Sequence, residues 1–299
     1  MMMTTINGIT AIPGLKVGHA QNEDAQTGCT VVLCEKGATA GVIQSGGAPG
    51  TRETDLLRPG HLVEKVNAIM LSGGSAFGLA AADGAMRYLE ENGIGVNTGA
   101  ARVPIVPAAV LFDLAVGSAD VRPDAEMGYQ ACLNATEDPA EEGNIGAGTG
   151  ATVGKILGPG QAMKAGIGTA SLDLGDGVFV AAIMATNAFG DVINPENNRI
   201  IAGVRSVDKG LLKIGDDFFA DTYEVMKGFI GKSILKFSSR QNTVIGVVAT
   251  NAKFDKEGIN NIAKMAHNGL IRTIQPANTQ FDGDTLFALS YGNKSADQN

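Results

Sequence analysis

The stretch RQNTVIGVVAT, Arg240–Thr250, changes character in its middle. From Val244 onward it holds only β-branched and small residues, the composition of a strand buried on both faces. The polar pair Asn242-Thr243 stands at the head of that strand. A Thr there follows from β-propensity, and an Asn before it from turn chemistry. The same step also permits a reaction. The Thr243 hydroxyl can attack the Asn242 carbonyl, form an ester and, once water hydrolyses it, leave Thr243 as a new N-terminus. Its freed α-amine, with an intrinsic pKa of about 7.7–8.0, would then serve its own hydroxyl as base. Local chemistry leaves both readings open.

Other apolar runs bounded by Gly, Asp or Asn read as strands: CTVVLCEKG, ATAGVIQSGG, VNAIMLSGG, DGVFVAAIMATNAFGDVI, NRIIAGV and DTLFALSYG. Between them lie helical segments. Ser75–Glu91 is rich in Ala, Leu and Met, with Ser75 expected as its cap. Asp255 is expected to cap a second helix over residues 256–273, where Ile259, Ile262, Ala263, Ala266 and Leu270 fall at helical spacing. The mixture predicts an α/β fold without a regular βαβ repeat. No composition break divides residues 1–299, so one domain is expected. The charge-rich segment 207–241 is expected to run over the surface and deliver the chain to Thr243.

The composition narrows the function. Of 299 residues, 44% are hydrophobic and 18% charged, which suits a large core. A net charge of −8 lacks the positive footprint that phosphate backbones require, so no nucleic-acid partner is expected. No run of about 18 apolar residues occurs, so no membrane span is expected. MMMTTINGITAIPG has neither a basic n-region nor an apolar core, so no signal peptide is expected and a cytoplasmic setting follows. Cys29, Cys34 and Cys132 form no paired motif and are expected as core thiols. His19, His61 and His267 lack metal-ligand spacing, and no metal or cofactor is expected.

Two glycine motifs fail their tests. A phosphate loop ending at Gly154-Lys155 needs Gly at Thr149 and Ser or Thr at Ile156. Gly146-x-Gly148-x-x-Ala151 fits a relaxed dinucleotide fingerprint, but the EDPAEEGN before it is no strand. SGGSAFG, Ser72–Gly78, is not a nucleophile elbow, so no Ser-His-Asp triad is legible.

Eight segments in fixed order carry a resemblance over nearly the whole chain: GLKVGHA, GGAPGTRETDLL, LSGGSAFGLAAADG, AAVLFDL, GAGTGATVGK, ATNAFGDV, NTVIGVVATNA and DGDTLFALS. Together they resemble the L-aminopeptidase/D-esterase family of self-processing N-terminal nucleophile amide hydrolases. Within it, the chain is similar to the 6-aminohexanoate (nylon) oligomer hydrolase branch. The resemblance implies a four-layer αββα sandwich. It implies cleavage between Asn242 and Thr243 into subunits 1–242 and 243–299, and a homo-oligomer built as a tetramer of cleaved heterodimers. The implied substrates are small peptides or amides.

The family roles carry over by position. Thr243 matches the nucleophile, where many aminopeptidase members have Ser. Asn187 matches an amide that helps hold the substrate oxyanion, and Lys155 a lysine near the nucleophile. Asp282 and Asp284 match a carboxylate pair that orients the nucleophilic residue, although Asp-Gly-Asp alone reads as a turn. Gly73, Gly74 and Ser75 are expected to shape the pocket. Phe112 departs from the pattern, because several members carry a Tyr there whose hydroxyl faces the site. Two other readings remain at this point: a self-processing acyltransferase of the ornithine acetyltransferase type, and a non-enzymatic small-molecule binder.

Overall fold

The apolar runs assemble into one large sheet of nine strands. The computed structural model describes residues 8–209, 212–228 and 242–297. Of the expected surface excursion, 210–211 and 229–241 lie outside the described residues, as do Arg240 and Gln241 of the opening stretch. The sheet strands are β1 (Lys16–Asn22), β2 (Thr27–Gln44), β3 (Thr51–Arg52), β4 (Val66–Ser72), β5 (Ala108–Val110), β6 (Ile167–Asp173), β7 (Phe179–Asn187), β8 (Thr243–Ala252) and β9 (Thr285–Lys294). Their order is β6-β7-β8-β9-β2-β4-β5-β3, with β1 also paired to β2. β8 runs antiparallel to β7 and parallel to β9.

The two expected strands CTVVLCEKG and ATAGVIQSGG are one 18-residue strand, β2. Its first half pairs with β1 and β4, and its second half with β9. The register shifts between Leu33 and Ala38, around Glu35-Lys36-Gly37. A polar insert that reads as a turn is thus a bulge, where the strand passes from one half of the sheet to the other.

Three helices cover the sheet: α1 (Ala81–Glu91), α2 (Ala125–Leu133) and α3 (Lys256–Thr273). One core joins Val32, Ile69 and Leu71 of the first half to Ile183, Ile245, Val247, Phe287 and Leu289 of the second. Another lies between the first half and α1 and α2, joining Val31, Leu33 and Met70 to Ala81, Ala85, Leu89 and Cys132. Ile259 and Ala263 of α3 pack on Ala288 of β9. Asp255 caps α3 as expected, accepting from Gly258 N at 2.8 Å. Ser75 caps nothing. It takes a left-handed φ of 55° within a 3-10 turn, Ser75–Ala80, that precedes α1, and Gly74 before it is also left-handed. The three cysteines are buried and unbonded to one another. No helix among the described residues is long and apolar enough to cross a membrane.

Candidate active site

Strand pairing brings the polar head of β8 against the end of β7. Asn187, the last residue of β7, is the register partner of Thr243, the first of β8. Asn187 is fully buried, and Asn242 and Thr243 are nearly so. Thr243 Oγ1 donates to the Asn242 carbonyl oxygen at 2.5 Å. The carbonyl carbon is one bond of about 1.2 Å behind that oxygen, so nucleophile and electrophile of the self-cleavage reading are in reach of each other.

The Asp-Gly-Asp turn lies alongside. Asn242 and Asp282 form a parallel bridge, and Gly283 N donates to Asn242 O at 3.1 Å. Asp284 Oδ1 accepts from Val244 N at 2.7 Å, which fixes the strand just beyond Thr243. Asp282 Oδ2 accepts from Thr279 N at 2.7 Å and so ties the turn to its own loop. Burial raises the pKa of both carboxyls. For Asp284, burial and then the neighbouring Asp282 charge bring it to about 7. For Asp282, hydrogen bonds from Thr279 and the Lys155 charge oppose the burial. Two carboxylates this close resist simultaneous ionisation.

Lys155 approaches from the connection within the hairpin Thr152–Val153/Met163–Lys164, two residues past its first strand. Its Nζ donates to Asn187 Oδ1 at 2.6 Å and to Asn187 O at 2.9 Å. Its own backbone N donates to Phe189 O at 3.0 Å. Desolvation lowers the Lys155 pKa from 10.5 to about 7, opposed by the charges of Asp282 and Asp113. An amine so poised exchanges protons near neutrality. Asn187 is the hub of this group. Besides Lys155, its Oδ1 accepts from Thr152 N at 3.0 Å, and its Nδ2 donates to Phe112 O at 2.9 Å. Phe112 therefore meets the site through its backbone.

Gly73 and Gly74 reach the site one step removed, through a residue given no role on sequence grounds, and Ser75 follows them on the same turn. Asp113 is buried, and accepts from Thr27 Oγ1 and from Gly74 N, both at 2.7 Å. Ser75 N donates to Leu111 O at 2.9 Å. Burial raises the Asp113 pKa, and the Lys155 charge lowers it. Its signal in the sequence is a lone carboxylate in an apolar run, AAVLFDL, where an unpaired charge is costly.

The model of peptidase family S58 matches residues 7–299. The chain belongs to this family. It is accordingly a hydrolase of peptide or amide bonds. This S58 peptidase is 42% identical to an uncharacterized aminopeptidase of Mycobacterium tuberculosis, over 96% of the chain and 82% of the relative. It is 32% identical to a 6-aminohexanoate-oligomer endohydrolase of a Kocuria species, over 93% of the chain and 73% of the relative. Among solved structures, a Burkholderia β-aminopeptidase superposes with a TM-score of 0.67 at 21% identity, over all of the chain and 77% of its own length. The L-aminopeptidase D-Ala-esterase/amidase of Ochrobactrum anthropi, described as a variant of the Ntn hydrolase fold, gives 0.67 at 19%, covering 96% and 74%. These two likenesses establish the fold of this S58 peptidase.

Proposed function

We propose that the chain cuts itself between Asn242 and Thr243 and then works as an N-terminal threonine amide hydrolase. The contact between Thr243 Oγ1 and the Asn242 carbonyl carries this reading. In the first reaction Thr243 Oγ adds to the Asn242 carbonyl carbon. The C–N bond breaks, the nitrogen gains a proton to become the Thr243 amine, and an ester links Asn242 to Oγ. Water hydrolyses the ester and leaves Asn242 as a carboxylate. In the second, Oγ adds to a substrate amide while the α-amine takes its proton and passes it to the leaving amine. Water then frees the acid. Lys155 and Asp284 both titrate near neutrality and are the proton-transfer groups of the uncut chain. Asp282 and Asp284 hold the nucleophilic residue through its flanking backbone, and Asn187 holds Lys155.

The cores between the sheet halves and under the helices fit the four-layer αββα arrangement of a cut hydrolase. We assign small peptides, β-peptides or 6-aminohexanoate oligomers as the substrate class, and a tetramer of cleaved heterodimers as the assembly. Intact-mass measurement of the purified protein tests the first reaction. Two pieces ending at Asn242 and starting at Thr243 are expected, and Thr243→Ala should stay one chain of 30.7 kDa without amidase activity. A wild-type protein that stays whole yet hydrolyses amides would overturn the proposal. A panel of aminoacyl anilides, β-dipeptides and 6-aminohexanoate oligomers then ranks the substrates.

A further inference from the structure

The resemblance gives the Asn187 amide a part in holding the oxyanion and, in several members, places a Tyr hydroxyl at the site. Here Asn187 Nδ2 donates to Phe112 O, and position 112 has no hydroxyl. The Asn242 carbonyl oxygen instead has two donors close at hand: the attacking Thr243 hydroxyl at 2.5 Å and the Gly283 amide at 3.1 Å. The first is consumed when Oγ adds to the carbon. The second remains where negative charge develops.

The Gly283 amide is held from both sides. Thr279 O accepts from Asp282 N at 3.1 Å, and Asp282 O from Ala48 N at 3.0 Å. Asp284 O accepts from Ser45 N at 2.8 Å, while the Asp284 carboxyl holds Val244 N. The segments 242–244 and 282–284 are thus braced together, and residues 45–48 lie behind the turn. A Cβ on Gly283 would stand 2.2 Å from Ala48 O, so a side chain here would push the turn out of place. A donor fixed this way needs no reorganisation as charge forms, which is the property that makes oxyanion donors effective.

We infer that the backbone N–H of Gly283 is the oxyanion donor of the self-cleavage and, with Asn242 withdrawn, of substrate hydrolysis by the same Thr243 hydroxyl. The inference rests on the self-cleavage reading. Its second half follows because a substrate carbonyl attacked by Oγ occupies the place of the carbonyl attacked first.

The test is an amide-to-ester exchange in the full chain, made by cell-free translation with glycolic acid at position 283. This deletes the N–H and adds no atom toward Ala48. Self-cleavage is expected to slow by about 10²–10³-fold, the usual effect of losing one oxyanion donor. The exchange also weakens the Asp282 carbonyl as acceptor for Ala48 N. Lactic acid at position 48 deletes that hydrogen bond alone and is expected to leave the rate within about threefold. Equal slowing by both exchanges would assign Gly283 a bracing role only and overturn the inference. A glycolic-acid chain that cuts at the unmodified rate would overturn it too. An unmodified chain that never cuts would instead remove the self-cleavage reading beneath it. Once cut, the ester enzyme is expected to lose kcat by a similar factor with KM nearly unchanged.

Discussion

Lys155 is a buried amine within range of two carboxylates, and the balance among them sets the pH at which it titrates. Burial brings it to about 7, while Asp282 and Asp113 pull it upward. Asp113→Asn removes one of those pulls, so the Lys155 pKa falls further. Whichever limb of the pH–rate profile belongs to Lys155 should therefore move to lower pH. Asp284 also titrates near 7, but its neighbours are Asp282, Val244 and Asn278, so a limb due to Asp284 stays in place. Profiles of amide hydrolysis by wild type and Asp113→Asn decide which group each limb reports. An Asp284→Asn substitution has the reverse relation to stability. Between about pH 4 and 7 the unfolded carboxyl is ionised while the folded one is protonated. Folding then takes up a proton, and stability falls as pH rises. The neutral amide escapes this loss. Its stability should equal or trail that of wild type near pH 4 and exceed it at pH 8, by at most about 4 kcal/mol for a pKa raised from 3.8 to about 7, less whatever the lost hydrogen bonds contributed. Activity should fall. A variant less stable than wild type at pH 8 would show that the hydrogen bond to Val244 outweighs the buried charge.

At the scale of the elements, β8 depends on a glycine at its centre. Gly246 is the register partner of Met184, and a Cβ there would lie 2.1 Å from Met184 Sδ and 2.8 Å from Ile183 O. Gly246→Ala should cost about 1–3 kcal/mol in denaturant unfolding, as overpacked cores do. Adding Met184→Ala should recover part of that, because the nearest atom is the end of a flexible side chain. Additive losses would mean that the Ile183 backbone is what resists. Strands β4, β7, β8 and β9 were legible because β-branched runs bounded by turn residues leave few alternatives. β2 reads as two strands in the sequence because Glu35-Lys36-Gly37 has the composition of a turn, and only the partners on each side show it to be a bulge. Ser75 has the residue type of a helix cap, whereas the left-handed Gly74-Ser75 step depends on Asp113 and Leu111, far along the chain. The same distance hid the site's third carboxylate. Asp113 becomes meaningful only once folding places it near Lys155, whereas Thr243, Asn187, Lys155, Asp282 and Asp284 stood out through the order of whole segments.

The topology of the whole molecule decides what a cut before Thr243 does to it. Residues 243–299 contribute β8, α3 and β9. β8 lies between β7 and β9, β9 pairs with β2, and α3 covers that half of the sheet. Side chains add to the junction. Lys256 Nζ donates to Leu56 O and His61 O at 3.0 and 2.8 Å, and Asn260 joins Leu57 O and Val42 N. Residues 243–299 thus sit in the interior of the sheet, and their withdrawal would expose the central core and unpair two ladders of buried hydrogen bonds. The cut should therefore leave both pieces in one particle, separable only by unfolding. Refolding then distinguishes the two forms. In Thr243→Ala, β8 is tethered to the chain that builds its neighbours, so it finds its place by loop closure at a rate independent of concentration. In the cut protein the same strand must arrive from solution. Far-ultraviolet circular dichroism after dilution from denaturant should recover faster at higher protein concentration for the cut form, and at a constant rate for Thr243→Ala. A cut form that refolds independently of concentration would mean that a step within one piece or after association, and not the arrival of β8, sets the rate.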